Sequence, residues 1–299
     1  MKNTKILVWL VGCIALLSFI ASGLGVFWQG NGPRQNFITL HGETVSILGS
    51  GLYRFDTVTN ASQVIAQDVV TLILGIPLLI ISTGLYLKDL LRGKLMLCGT
   101  LAYFLYTYTS YTMLVAYNGL FLVYVALFSL SLFAFILALM SIELEALPAH
   151  FSVRLPRKSI ATFLFVLASF LLLAWVARIG SGLLNDLPPV GLESSTTLVI
   201  QALDLGILVP LSYLAGILLL KRRAWGYLLS SIVLFKSLTL GTAICAMVLG
   251  QILAGVEVGL VEAILFPAIS LVGIGLTIAL LKNITEKVAG YNETLLFQK

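Results

Sequence analysis

The chain has 299 residues, 59% of them hydrophobic and only 10% charged, with a net charge of +5 and a mean hydropathy of +1.05. Soluble domains carry roughly 25% charged residues, so this chain lacks the polar surface to be a water-soluble globule and needs lipid as its solvent. The positive balance has no aromatic or groove-reading context around it, which argues against nucleic acid as a partner.

Eight apolar runs follow one another, approximately Ile6–Trp28, Ala66–Leu87, Leu95–Tyr117, Leu120–Ile142, Ile160–Ile179, Thr197–Leu220, Trp225–Gly250 and Val258–Leu281. About 20 apolar residues match the hydrocarbon core of a bilayer. Backbone groups in lipid must be paired internally, so each run is expected to be a helix. The fold class expected is an all-α integral membrane protein, a single transmembrane domain over 1–299 built as a bundle of about eight helices.

The first run has a second reading. Lys2 and Lys5 followed by apolar residues resemble a signal peptide, and Leu10-Val11-Gly12-Cys13 fits a lipobox by letter. The apolar stretch continues past Cys13 to Trp28, which favours a retained anchor.

Between the first two runs lies the one long connection, 29–65. Asn36–Leu40 and Thr44–Leu48 are β-prone and flank His41-Gly42-Glu43, the pattern of a β-hairpin. Tyr53, Arg54 and Asp56 follow a Gly49-Ser50-Gly51 break and are the loop candidates for ligand contact. The other connections are short.

Lys and Arg side chains fix the expected orientation. With the N-terminus inside, 14 cations fall in cytoplasmic segments and 3, Arg34, Arg54 and Arg178, on the outside. This bias predicts a cell (cytoplasmic or inner) membrane protein with both termini cytoplasmic.

A repeat with an offset of 133 residues pairs Pro77-Leu78 with Pro210-Leu211, Lys88 with Lys221 and Gly93 with Gly226. It suggests a parallel four-plus-four arrangement of halves 1–147 and 148–299. The same offset sets Tyr103 opposite Lys236 and Thr71 opposite Asp204.

Lys236 and Asp204 are the charges deepest inside apolar runs. A charge at the bilayer centre costs about 2.5–3.5 kcal/mol on insertion scales, which marks it as a functional candidate. The two spans are joined by Lys221-Arg222-Arg223-Ala224. At 1.5 Å per residue Asp204 and Lys236 stand roughly 24 Å and 17 Å above their cytoplasmic ends, so a buried ion pair is expected. Gln201, one turn from Asp204, joins it on one face. Asp68, Tyr103, Tyr106 and Glu262 complete the candidate set for a solute, ion or proton. A structural pair that fixes helix packing is the competing reading of Asp204 and Lys236. Gly255 and Gly259, four apart, are expected to open the last span with a close-packing face.

The three cysteines lie in different runs and the two histidines in loops, so neither a metal site nor a cofactor is expected. No nucleotide-binding or hydrolase motif occurs.

Two stretches carry a resemblance: Gly51-Leu52-Tyr53-Arg54-x-Asp56 with Gln67-Asp68-Val69-Val70-Thr71-Leu72, and Ala202-Leu203-Asp204-Leu205-Gly206 running through Pro210 to Arg222-Arg223-Ala224-Trp225-Gly226-Tyr227 and Lys236. Together the chain resembles an uncharacterised family of prokaryotic multi-pass membrane proteins, which implies the topology and no activity. The function expected is transporter-like handling of a small solute or ion through an outward-facing polar cavity. The alternatives are a non-transporting subunit, sensor or assembly factor with a protein partner, and an intramembrane enzyme on a lipid-like substrate using Tyr53, Asp56 and Asp68.

Overall fold

The computed structural model describes residues 2–286, with the side chains of 2, 3, 261 and 262 excepted. The helices are α1 Lys2–Phe27, α2 Val58–Leu87, α3 Leu91–Leu114, α4 Phe121–Met140, α5 Arg157–Asn185, α6 Val199–Leu220, α7 Ala224–Leu253 and α8 Leu260–Lys282. Seven helices among the described residues are long and apolar enough to cross a membrane, so the chain is an all-α multi-pass membrane protein. The helix outside that set is α3, which carries Arg92 and Lys94 near its start and a dense series of Tyr and Thr through its second half. Outward-facing Leu, Ile, Phe and Val cover the rods, as in Leu122, Leu173, Leu184 and Leu271, which suits an apolar solvent.

Each half of the chain packs in the same pattern. In the first, α1 lies against α2 and α4, and α3 lies against α2 and α4. In the second, α5 lies against α6 and α8, and α7 against α6 and α8. The halves meet where α3 crosses α7, flanked by α2 on α7 and α3 on α6.

Both α2 and α6 are interrupted by a five-residue π-helical turn. These are Thr71–Gly75 and Asp204–Leu208, 133 residues apart. The backbone N–H of Ile76 donates to the Thr71 carbonyl and that of Val209 to the Asp204 carbonyl, so each bond reaches five residues back. Pro77 and Pro210 explain the widening. A proline ring inside a helix removes one N–H and collides with the carbonyl four residues earlier. A wide turn just before it moves that carbonyl aside. The side chains that open the wide turns are Thr71 and Asp204.

The hairpins α2–α3 and α6–α7 also match. Asp89 and Arg222 take the left-handed conformation in the two connections, at φ 57° and 53°. Gly93 and Gly226 then press on the preceding helix: a Cβ on Gly93 would lie 2.4 Å from the Leu85 carbonyl carbon, and one on Gly226 2.2 Å from the Leu219 nitrogen. Only glycine allows helices this close.

On one face of the bundle, called the loop face below, β1 Gln35–Ile38 pairs antiparallel with β2 Thr44–Ile47, Ile38 opposite Thr44. Asn36–Leu40 and Thr44–Leu48 thus begin and end within a residue or two of these strands. Thr57 caps α2, accepting a bond from the Asn60 N–H at 3.2 Å. The loop is tied to the second half: Thr57 donates to Glu193, and Arg34 Nη2 donates to the Ala254 carbonyl at 3.1 Å.

On the opposite face, the segment after α8 pairs with the α4–α5 connection and then reaches the first half. Phe151 bridges to Ile284, and Thr285 N–H donates to the His150 carbonyl at 2.7 Å. Glu286 accepts from the Leu91 N–H at 2.7 Å and pairs with Arg92 at 3.6 Å. It therefore caps the free N–H groups that open α3. One expectation is corrected here. Gly255 and Gly259 lie in the α7–α8 connection, Gly255 at φ 77°, because α7 ends at Leu253 and α8 starts only at Leu260.

Candidate functional site

Polar constellations gather on Asp68 within the first half and on Asp204 at the seam between the halves. The first gathers on Asp68 in α2, which is buried at 1% exposure. Tyr53, from the loop, donates to its Oδ2 at 2.5 Å. The Tyr111 hydroxyl lies 3.0 Å from its Oδ1 and also 3.0 Å from the Val64 carbonyl. Gly25 of α1 closes the remaining side, where a Cβ would stand 1.8 Å from Oδ2. Burial, with the Asp68 charge second, pushes the Tyr53 hydroxyl well above its usual value, so it stays a donor.

One turn away, Gln67 donates its side-chain N–H groups to Tyr103 at 2.7 Å and Thr107 at 3.2 Å. Thr71 lies 2.8 Å from the Tyr103 hydroxyl and donates to the Gln67 carbonyl at 2.9 Å. Since the Thr71 proton is spent on that carbonyl, Tyr103 is the donor to Thr71. Tyr103, Phe104, Tyr108, Tyr111 and Tyr124 stack edge to face or offset, with centroids 5.3–6.4 Å apart, separations at which aromatic pairs attract.

The second constellation gathers on Asp204. Tyr106 donates to Oδ1 at 2.8 Å and the Trp175 indole to Oδ2 at 3.0 Å. Lys236 does not make the expected ion pair. Its Nζ rests 3.6 Å from the centroid of the Tyr106 ring and has no hydrogen-bond partner among the described residues. The physical reason is the position of α3. It crosses α7 at the seam between halves and inserts Tyr106 between the two charges. The ring offers its negative face to the ammonium and its hydroxyl proton to the carboxylate. The result is one chain, Lys236–Tyr106–Asp204–Trp175, drawn from α7, α3, α6 and α5.

The remaining candidates separate from these groups. Gln201 is buried one turn before Asp204, outside the hydrogen bonds just described. Asp56 lies in the loop near the first constellation: its Oδ1 accepts from Asn60 at 2.6 Å and from the Ala116 N–H at 3.0 Å, and Oδ2 is buried without a partner among the described residues. Burial raises its pKa to about 6 against the lowering pull of those two bonds. Arg54 is exposed and stacks on Phe55 at 4.8 Å. The side chain of Glu262 lies outside the described ones. Trp175 was not among the candidates. It stands four residues from the end of the run Ile160–Ile179, where a tryptophan reads as part of the interfacial aromatic belt, so nothing in the sequence marked it.

Among the described residues no cluster of three or more His, Cys, Asp or Glu is placed to hold a metal ion. No protein-family profile, no curated protein and no solved structure matches the chain.

Proposed function

We propose that this protein is a transporter-like membrane protein that handles a small solute or ion at the Lys236–Tyr106–Asp204 chain. In this reading eight helices span the cell membrane, both termini are cytoplasmic, and two parallel halves of four helices arose by duplication. The cation bias supports the orientation. The matching packing, wide turns and glycine contacts at one offset support the halves.

One observation carries the functional reading. A buried ammonium without a hydrogen-bond partner among the described residues stands at the seam between two like halves, beside a carboxylate that opens an irregular helical turn. Solute sites of repeat-built transporters lie near the midplane where halves meet, on interrupted helices. Lys236 has three donors to offer and Asp204 keeps acceptor capacity beyond Tyr106 and Trp175. A small anion, or a solute with both signs of charge, matches such a site.

The test is charge movement across proteoliposomes challenged with a panel of small organic anions, amino acids and alkali cations. Asp204→Asn and Lys236→Met should abolish the response while eluting as the same folded species. If the protein responds to none of these solutes, or if both variants aggregate, the pair is structural.

A second reading has its own observation. Phe37, Ile38 and Leu40 of the hairpin loop are 48%, 70% and 88% exposed. An apolar tip on the loop face suits a subunit or sensor that docks a protein partner there. A third, lipid-directed chemistry at Tyr53, Asp56 and Asp68, meets side chains that are all buried.

A further inference from the structure

Asp68 poses a question of hydrogen counting. The Tyr111 hydroxyl has one hydrogen and two oxygens at 3.0 Å, the Val64 carbonyl and Asp68 Oδ1. A carbonyl only accepts, and so does an ionised carboxylate. With Asp68 ionised, two acceptors compete for one hydrogen. With a proton on Oδ1 these four groups are served: Tyr53 donates to Oδ2, Oδ1–H donates to Tyr111, and Tyr111 donates to Val64, while the nearby Ser22, Tyr108 and Tyr124 hydroxyls have no partner among the described residues with Asp68 in either state.

The charge count agrees. The loop faces Asp68 with Tyr53; α1 with Ser22 and Gly25; α3 with Tyr103, Tyr108 and Tyr111; and α4 with Tyr124. Asp56 lies farther out in the loop, held by Asn60 and Ala116. The interior cation of α7, Lys236, is engaged on Tyr106. No described Lys, Arg or His forms an ion pair with Asp68. An isolated ionised carboxylate in such surroundings is costly and neutralises instead.

We propose that Asp68 is a proton-binding site, separate from the Asp204 chain, that carries its proton while Tyr53 closes over it from the loop face. A proton released there when the loop lifts would serve as the coupling ion. That use rests on the transport reading, whereas the bound proton does not.

The experiment is infrared spectroscopy of the purified full chain, with thermal unfolding on the same samples in sodium and in choline buffers. At neutral pH the wild type should show a protonated carboxylic-acid carbonyl band that Asp68→Asn removes and Asp56→Asn leaves. Asparagine reproduces the proposed bonds, accepting from Tyr53 and donating to Tyr111, so D68N should melt with the wild type while Asp68→Ala melts several degrees lower. Tyr111→Phe deletes the acceptor of the Asp68 proton and should move the band to higher frequency, which keeps the test alive should D68N not fold. Absence of the band from the wild type overturns the proposal. So does a sodium-dependent rise in Tm that D68N loses, which would reassign the carboxylate to a metal cation. None of these readouts needs a solute, so a silent transport screen leaves them standing.

Discussion

Lys236 and Asp204 are joined through a single aromatic ring: the ammonium sits on the face of Tyr106 and the carboxylate takes the proton at the ring's edge. The two charges therefore polarise the same phenol from opposite sides. They are separated by a group that can be altered without touching either charge.

Tyr106→Phe keeps the ring and deletes the hydroxyl. It should destabilise the protein by about 1.5–3 kcal/mol, the range for a hydrogen bond to a charged group. Tyr106→Leu should cost more, because it also removes a cation–π contact worth roughly 2 kcal/mol when desolvated. Unfolding in detergent gives both values. In a double-mutant cycle, Lys236→Met should couple to Tyr106→Leu and not to Tyr106→Phe.

Gly25→Ala should be among the most damaging single-methyl additions in the chain, since the new carbon lands on the carboxylate of Asp68. The backbone of α1 has to move or the Tyr53 bond has to open. Gly12→Ala and Gly23→Ala, on the same helix with nothing within 4 Å of the new atom, should be neutral or slightly stabilising. Comparing their melting temperatures isolates the contact from helix propensity.

Asp56 should make the loop sensitive to pH. Its carboxyl titrates near 3.8 when free and about 6 in the fold. The native state thus binds the extra proton between those values. Stability from this group is complete below about pH 3.8 and is lost as pH rises through 6. Amide exchange in 48–56 should quicken across that window, and Asp56→Asn should flatten the profile.

Much of this was legible in the sequence, and the boundary has a physical cause. Apolar runs located the helices because the solvent demands them. Lys236 and Asp204 stood out because charge in such runs is rare. The offset linking Pro77 to Pro210 also links the two wide turns. Depth along a helix, however, says nothing of azimuth. Rise per residue put Lys236 within reach of Asp204 and could not show Tyr106 between them. Likewise Tyr53 reaches Asp68 only through the course of a loop, and the Trp175 indole looks like any packing group until its partner is known.

Glu286→Ala should free the start of α3. The carboxylate accepts from the Leu91 N–H and sits where the helix dipole is positive. A loss of about 1 kcal/mol is expected, as for other N-terminal caps. Cleavage by a protease at the 88–91 turn should rise in parallel.

The ties across the halves have a mechanical meaning. On the loop face Arg34 and Thr57 of the first half grip Ala254 and Glu193 of the second. On the other face Ile284 and Glu286 reach back to Arg92 and Leu91. The molecule is strapped at both ends over a single seam. Parting the halves at one end means unfastening that strap while the other holds as the pivot. Such a body tilts open at one end or the other, and opening both at once would cost both fastenings.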